Sequence, residues 1–295
     1  MRLLSDFDGV WTDPWREGLA QGEVVDERLL AWAAGEARAG VGEWLAAARA
    51  RLAAAPLEHG WESDDRISAY ADEDPFVMHA ALLQLAHTDA ASDPIAAWLT
   101  GAVVRHGFAS LDEFGAFTHH EGVRRVEQRR GPAILPDAAE AGRRLLDAGV
   151  DVVVVSNSPE EKLARWFGSA GLPLTHHPER AEGALRLRGG ARKFVLGGVP
   201  NALELGGVRF ETGRPRYREA LELERPAGVV GDVFSLDLAL PLALRRHVPG
   251  WGGLRLFWLQ RGYTPEWLAE LIAEHAPEVE RLDGGLAEAA DRLLA

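Results

Sequence analysis

Four carboxylates fall in two short clusters, each directly after an apolar run. Asp6 and Asp8 lie in LLSDFDGVWTD, residues 3–13, and Asp232 and Asp237 lie in AGVVGDVFSLDLALP, residues 227–241. Brought side by side, such acids repel one another strongly unless a cation lies between them. Carboxylate oxygens without sulfur or nitrogen partners suit magnesium, which keeps several waters and usually takes one or two protein carboxylates. A fixed cation would complement them, and only two of the 32 basic residues are lysines, Lys162 and Lys193. Against a background of arginine, a lysine is the better candidate for a specific role. The histidine pairs His119–His120 and His176–His177 are not read as a metal site, because adjacent side chains point different ways on any regular element and no matching carboxylate accompanies them.

The elements that must hold the acids read as an α/β sheet. MRLLSDF has the pattern of a strand buried on both faces, with charge only at its C-terminal end and Gly9 closing it. LPDAAEAGRRLLDAGVDVVVVSNS, residues 135–158, combines a helix started by Pro136 and Asp137, a stop at Gly149, and a valine run too apolar for anything but a central strand. That strand closes in Ser156, Asn157 and Ser158. From Gly171 to Thr212 the pattern is short strands with glycine turns. Then follow a short helix in RYREALELE, the AGVV strand with its acidic loop, the strand LRLFWLQRG, a helix in TPEWLAELIAEHAP with Thr264 as cap and Pro265 at its first position, and a last helix in LDGGLAEAADRLLA.

Strands alternating with helices imply a parallel sheet with right-handed crossovers, which binds ligands outside the carboxyl ends of its strands. Between the first strand and the second, from about Asp26 to Glu127, the spacing predicts only helices, four or more. The expected fold is therefore a Rossmann-like parallel sheet core, residues 1–14 and 132–295, with an inserted all-helical cap, residues 15–131. Returning to the strand it left, such an insertion is expected to hang over the end that carries Asp6 and Asp8.

Composition narrows the function. The net charge of −13 should repel the phosphates of nucleic acid and the anionic face of a membrane, so neither is an expected partner. The absence of cysteine excludes thiol catalysis, disulfides and thiolate metal sites. Carboxylates arrive within the first ten residues, before a signal-peptide core could form, and no apolar run has the length of a membrane span, so a soluble, cytoplasmic protein is expected.

In this order the motifs resemble those of the haloacid-dehalogenase-like (HAD) superfamily. DFDGV is similar to its first motif, D-x-D-G-[VT], VVVVSNS to its second, and GDVFSLD to its fourth, with the insertion where that family places a type-1 cap. The resemblance covers the α/β core; the cap matches in position and helical character only. It implies a magnesium-dependent phosphatase acting on a small-molecule phosphomonoester through an aspartyl-phosphate. Asp6 is then the nucleophile. Asp8, on the same side of an extended chain, protonates the leaving oxygen and deprotonates the attacking water, while its main-chain carbonyl reaches the metal. Ser156 is implied to bind a phosphoryl oxygen, assisted by the amides of Asn157 and Ser158; Asp232 to ligate magnesium; and Asp237 to hold the metal's waters or the lysine. Gly9, Asn157 and Trp11 are the candidate substrate-binding residues, Trp11 as lining of the cleft between cap and core. The lysine of the third motif is favoured to be Lys193, although a hairpin over about residues 195–212 must then separate it from the fourth motif; Arg214 and Lys162 are the alternatives. A phosphomutase and a non-catalytic binding protein of the same fold are the competing functions.

Overall fold

Runs of valine and leucine become the strands of a seven-stranded parallel sheet in the computed structural model, which describes residues 1–175, 183–199 and 201–295. The chain opens with β1 (Arg2–Ser5) and then enters the insertion: α1 (Trp15–Trp32), α2 (Glu36–Ala54), the hairpin β2 (Gly60–Ser63) and β3 (Arg66–Tyr70), α3 (Pro75–Asp89), α4 (Pro94–Arg105) and α5 (Leu111–Arg130). It resumes with α6 (Pro136–Asp147), β4 (Asp151–Val155), α7 (Glu160–Ser169), β5 (Leu174–Thr175) and β6 (Leu185–Arg188). A second hairpin, β7 (Ala202–Leu205) and β8 (Val208–Glu211), precedes α8 (Pro215–Glu224), β9 (Gly228–Gly231), a π-helical turn (Phe234–Leu238) and α9 (Ala239–His247). The chain closes with β10 (Arg255–Leu259), α10 (Glu266–His275), β11 (Val279–Leu282) and α11 (Gly285–Leu294).

These elements form two compact units, one of Met1–Asp13 with Pro132–Ala295 and one of Pro14–Gly131. In the first, the strand order is β11-β10-β9-β1-β4-β6-β5, and every neighbouring pair is parallel. Chain order runs outward from β1 to β4 and β6 on one side, then returns to β9, β10 and β11 on the other. The winding therefore reverses between β1 and β9, where a doubly wound sheet opens a crevice for ligand. Ser5 is in register with Val154 on one side and Val230 on the other, so the loops after β4 and β9 emerge beside Asp6. Leu3, Val152, Val154 and Val230 form a core with Leu145 of α6, Phe167 of α7 and Leu286 and Leu293 of α11.

The inserted unit is helical except for β2 and β3, which the expectation of an all-helical cap did not include. In WESDDRISAY the Asp64-Asp65 pair turns the chain with φ of 55° at both residues, as a two-residue hairpin of right-handed twist requires. The first helix starts at Trp15, not near Asp26, and the alanine-rich stretch that follows is two helices parted at Gly35, φ 58°. Local chemistry sets the later starts. Asp93 Oδ1 accepts the amides of Ile95 and Ala96 at 2.7 and 3.0 Å, and Ser110 Oγ accepts that of Glu113 at 3.2 Å. The unit has its own core, in which Val25, Leu29, Leu45, Leu82, Leu99 and Phe114 are buried together.

Two smaller expectations change as well. Thr264 does not cap α10: its Oγ1 accepts the Arg261 amide at 2.8 Å, and Pro265 takes the cap position. The strand β11 went unread because VERL alternates too briefly to stand out. Among the described residues, no helix is long and apolar enough to cross a membrane.

Candidate active site

At the C-terminal end of β1 the chain leaves the sheet through a bend at Phe7 and a turn from Asp8 to Trp11, closed by the Trp11 amide donating to the Phe7 carbonyl at 2.9 Å. The Asp6 amide donates to the Val230 carbonyl at 2.9 Å, continuing the pairing with β9 one residue past the strand. Phe7, fully buried, turns into the core edge-on to Trp166 and Phe167, at ring-centroid distances of 5.7 and 5.4 Å. Asp6 turns to Lys193, and Asp8 turns to the loop and helix that follow β4. Asp8 Oδ2 accepts the Ser158 hydroxyl at 3.3 Å, and Lys162 Nζ stands 3.7 Å from Asp8 Oδ1. Gly9 follows with φ 74°, and a Cβ there would stand 2.0 Å from Asp232 Oδ2. A side chain at this position would push the two acidic loops apart; that close approach, more than contact with a ligand, explains the glycine.

The second acidic loop is built on a π-helical turn, an uncommon device often found at functional sites. It places Asp237 six residues past the strand end with its Oδ2 accepting the Val233 amide at 3.1 Å, while its carbonyl accepts the Tyr217 hydroxyl at 2.8 Å. Asp232 is held by two aromatic donors. Trp258 Nε1 donates to its carbonyl at 2.8 Å, and the Tyr263 hydroxyl donates to Oδ2 at 2.5 Å. From the same loop after β10, Arg261 Nε donates to the Gly9 carbonyl at 2.6 Å. Sequence reasoning did not name Tyr217, Trp258, Arg261 or Tyr263. The available signal was QRGYT, a polar stretch ending the apolar strand LRLFWL, in the position where the other site loops end theirs.

Lys193 reaches this cluster from the loop after β6, with Nζ 2.5 Å from Asp6 Oδ1 and 2.7 Å from Asp237 Oδ1. The loop is laced to the one after β4. The amides of Gly190 and Ala191 donate to the carbonyls of Ser158 and Ser156 at 3.0 and 2.9 Å, and the Lys193 amide donates to Asn157 Oδ1 at 2.7 Å. Arg214 lies behind the lysine and donates to its carbonyl, fully buried. Among the three candidates for the basic role, then, Lys193 contacts the acids of both loops, Arg214 braces its backbone, and Lys162 faces Asp8. The hairpin expected between Lys193 and the fourth motif is β7–β8, turning at Gly206 and Gly207.

Ser156 is completely buried, and its Oγ accepts the Ser158 amide at 3.0 Å. That corrects one expectation: the Ser158 amide is used inside the loop and is not presented to a ligand. It leaves the Ser156 hydroxyl proton to donate elsewhere. Asn157 likewise spends its carbonyl oxygen on Lys193. Trp11 is a clearer departure. It is 0% exposed, packs edge-on to Phe167 at 5.0 Å and against Gly142, and its Nε1 donates to Ser5 Oγ at 2.8 Å. It is a core residue and does not present its ring to a substrate; the indole's one donor is satisfied from within.

Oxygens of Asp6, Asp232 and Asp237 lie within 4.8 Å of one another. The Asp8 carboxylate is not in that group; its oxygens face Ser158 and Lys162, which leaves its main-chain carbonyl as the expected contribution to a metal. Burial, and then the charge on Asp237, push the Asp6 carboxyl well above the ordinary carboxylate range; Lys193 opposes this, and Asp232 and Asp8 add to it. Burial works against the charge on Lys193 as well, but Asp237 and Asp6 outweigh it and hold the ammonium protonated. A hard cation bound by oxygen alone fits this set: three carboxylates converge, and one lysine is shared between two of them. Among the described residues, no histidine joins a comparable group. His119 packs on Phe76 at 4.8 Å, and His176 and His177 lie outside the described residues.

No family model matches the chain, and no curated protein does. It is similar to the solved structure of the putative HAD-hydrolase YfnB from Bacillus subtilis bound to magnesium, at 12% identity and a TM-score of 0.43, over 100% of this chain and 98% of that one. It is also similar to a structure described as a dehalogenase, at 15% identity and a TM-score of 0.41, over 100% and 97%. A third is the 2-haloacid dehalogenase from Pseudomonas syringae pv. Tomato, at 16% identity and a TM-score of 0.40, over 99% and 98%. At identities of 12 to 16%, what this chain does is read from its own residues.

Proposed function

We propose that this chain is a magnesium-dependent hydrolase of small-molecule phosphomonoesters, similar in its motifs to the HAD-like phosphatases and working through an aspartyl-phosphate. The observation that carries the reading is the meeting of Asp6, Asp232 and Asp237 within 4.8 Å at the switch point of the sheet, with Lys193 bonded to two of them.

In this reading an Asp6 carboxylate oxygen attacks phosphorus as the bond to the ester oxygen breaks. Asp8, whose carboxyl is held by Ser158, gives its proton to the departing oxygen. Asp8, now ionised, takes a proton from a water that attacks the phosphorus of the intermediate, and the Asp6–phosphorus bond breaks to restore the carboxylate and release inorganic phosphate. The Ser156 hydroxyl, already an acceptor for the Ser158 amide, donates to a phosphoryl oxygen. Lys193 offsets charge on the transferring group, and burial strengthens that effect. Magnesium would be held by Asp6, Asp232, the Asp8 carbonyl and Asp237 and, when bound, would neutralise the phosphoryl oxygens. A proton donor beside the nucleophile favours phosphorus over carbon as the centre attacked, since displacement of halide needs no proton. The net charge of −13 and the acid-lined site favour a small substrate over a polyanion.

Release of inorganic phosphate from p-nitrophenyl phosphate and a panel of phosphorylated metabolites, with and without magnesium, tests the reading. Magnesium-dependent turnover that Asp6→Asn abolishes is the expected result. Turnover unchanged in Asp6→Asn would overturn the nucleophile. Transfer between sugar positions without phosphate release would make the protein a mutase.

A further inference from the structure

Both lysines of the chain stand at the site, yet the reaction as described uses only Lys193. Lys162 lies in the first turn of α7, two residues after Glu160, where the exposed amides of the helix make a cation unfavourable. Helix stability therefore does not account for it. Its side chain is largely buried, with the ammonium 5.1 Å from the centre of the Trp166 ring and 5.8 Å from that of Phe7. Phe7 is the residue between Asp6 and Asp8, so part of the platform beneath the lysine belongs to the loop that carries both acids. From that platform Nζ stands 3.7 Å from Asp8 Oδ1, while Ser158 Oγ donates to Oδ2. One carboxylate is thus approached from both sides, by a charge and by a hydroxyl.

Resting on the phosphatase reading, we infer that Lys162 is a positioning residue for Asp8, holding its carboxyl toward the leaving oxygen with the help of Ser158. An ammonium suits the place because it is compact and can sit over two rings while its donors turn toward the acid; a guanidinium would bring the same charge in a wider, planar form. The consequence is selective. A substrate whose leaving group departs readily as an anion needs little from Asp8, whereas a poor leaving group depends on a well-placed proton.

The test compares kcat/KM of the full chain with magnesium on p-nitrophenyl phosphate, phenyl phosphate and an alkyl phosphate, for wild type, Lys162→Met and Lys162→Arg. For Lys162→Met the loss should grow along the series, from about threefold on the nitrophenyl ester to about a hundredfold on the alkyl ester, within the range of one proton-transfer contribution. Lys162→Arg should recover part of the loss on the poor leaving groups. Equal loss on all three esters, or no recovery with arginine, would overturn the inference while leaving the phosphatase reading intact. Wild type inactive on every ester would remove both. Should Lys162→Met not fold, Ser158→Ala supplies the same comparison from the other side of the carboxyl, and a flat leaving-group dependence there counts against the clamp.

Discussion

The strands β1 and β4 carry a buried charge cluster at each end, and the two are built on different principles. At their N-terminal ends, Asp151 and Glu224 meet Arg2, Arg186 and Arg188. Arg186 alone makes a two-pronged contact with each acid, at 3.0 and 2.9 Å to Asp151 and 3.2 and 2.6 Å to Glu224. Arg2 adds a bond to Asp151 at 2.6 Å, and Arg188 one to Glu224 at 2.6 Å. Planar forks match planar carboxylates, so two acids are satisfied by three guanidiniums. At the C-terminal ends, Asp6, Asp8, Asp232 and Asp237 meet Lys193 and Lys162, and acids outnumber cations. The first cluster is balanced within the chain; the second leaves acids in excess, which is where the proposed magnesium would sit. Burial makes both costly, and only balance decides whether the result is a strut or a site.

Neutralising one acid separates the two most sharply. Asp6→Asn should lower phosphate release by about 10⁴-fold or more, as removal of a covalent nucleophile does elsewhere. The same variant, freed of a charge that burial and Asp237 disfavour, should melt without magnesium no lower than wild type. A lower melting temperature would mean that the Lys193–Asp6 pair is a structural strut after all.

The opposite cluster should behave in reverse. Arg186→Met leaves Asp151 and Glu224 without their shared fork and should cost about 3–5 kcal/mol in urea unfolding, the usual penalty for breaking a buried ion pair on one side. Residual phosphatase activity per folded molecule should be near normal. A cost below about 1 kcal/mol would erase the distinction between the clusters.

Magnesium should act on one end only. At about a hundred times its dissociation constant it should stabilise the folded chain by about 2.7 kcal/mol, readable as a rise in melting temperature that a chelator reverses. Asp232→Asn should abolish that rise, and Arg186→Met should keep it.

Acid gives the smallest separation. Burial raises the Asp151 carboxyl, but the bonds from Arg186 and Arg2 outweigh it and hold the group below its ordinary value of 3.8. The stability this contributes is fully present above that pH and is lost as pH falls through the depressed folded value. Urea midpoints should decline on that side in wild type and decline less in Arg186→Met; parallel slopes would show that Asp151 is not held by its arginine.

Much of the site was legible because each motif is local. DFDGV, VVVVSNS and GDVFSLD carry their acids and hydroxyls directly after an apolar strand, and strands of one parallel sheet end on one side, so contiguous residues announce a shared location. What lies between motifs was less legible. The β2–β3 hairpin turns on Asp-Asp where Asn-Gly would have been a clear signal, and the brief β11 shows almost no pattern. Trp11 misled because a large ring beside a motif can line a cleft or fill a core equally well; the Ser5 hydroxyl within reach of its Nε1 decided for the core.

By itself, then, the sequence determined the strand ends that bear Asp6, Asp8, Ser156, Asp232 and Asp237, and the exclusion of thiol chemistry, since these depend on neighbours in the chain and on composition. Only the tertiary structure showed that Lys193, rather than Arg214 or Lys162, contacts the acids of both loops, and brought Tyr263, Trp258 and Arg261 to those loops. Those placements depend on loops that touch across long stretches of chain, as when Gly190 and Ala191 bond to Ser158 and Ser156 and so carry Lys193 to Asp6. A side chain's reach is fixed by its own chemistry, but its destination is fixed by the hydrogen bonds of a backbone that spacing alone does not describe.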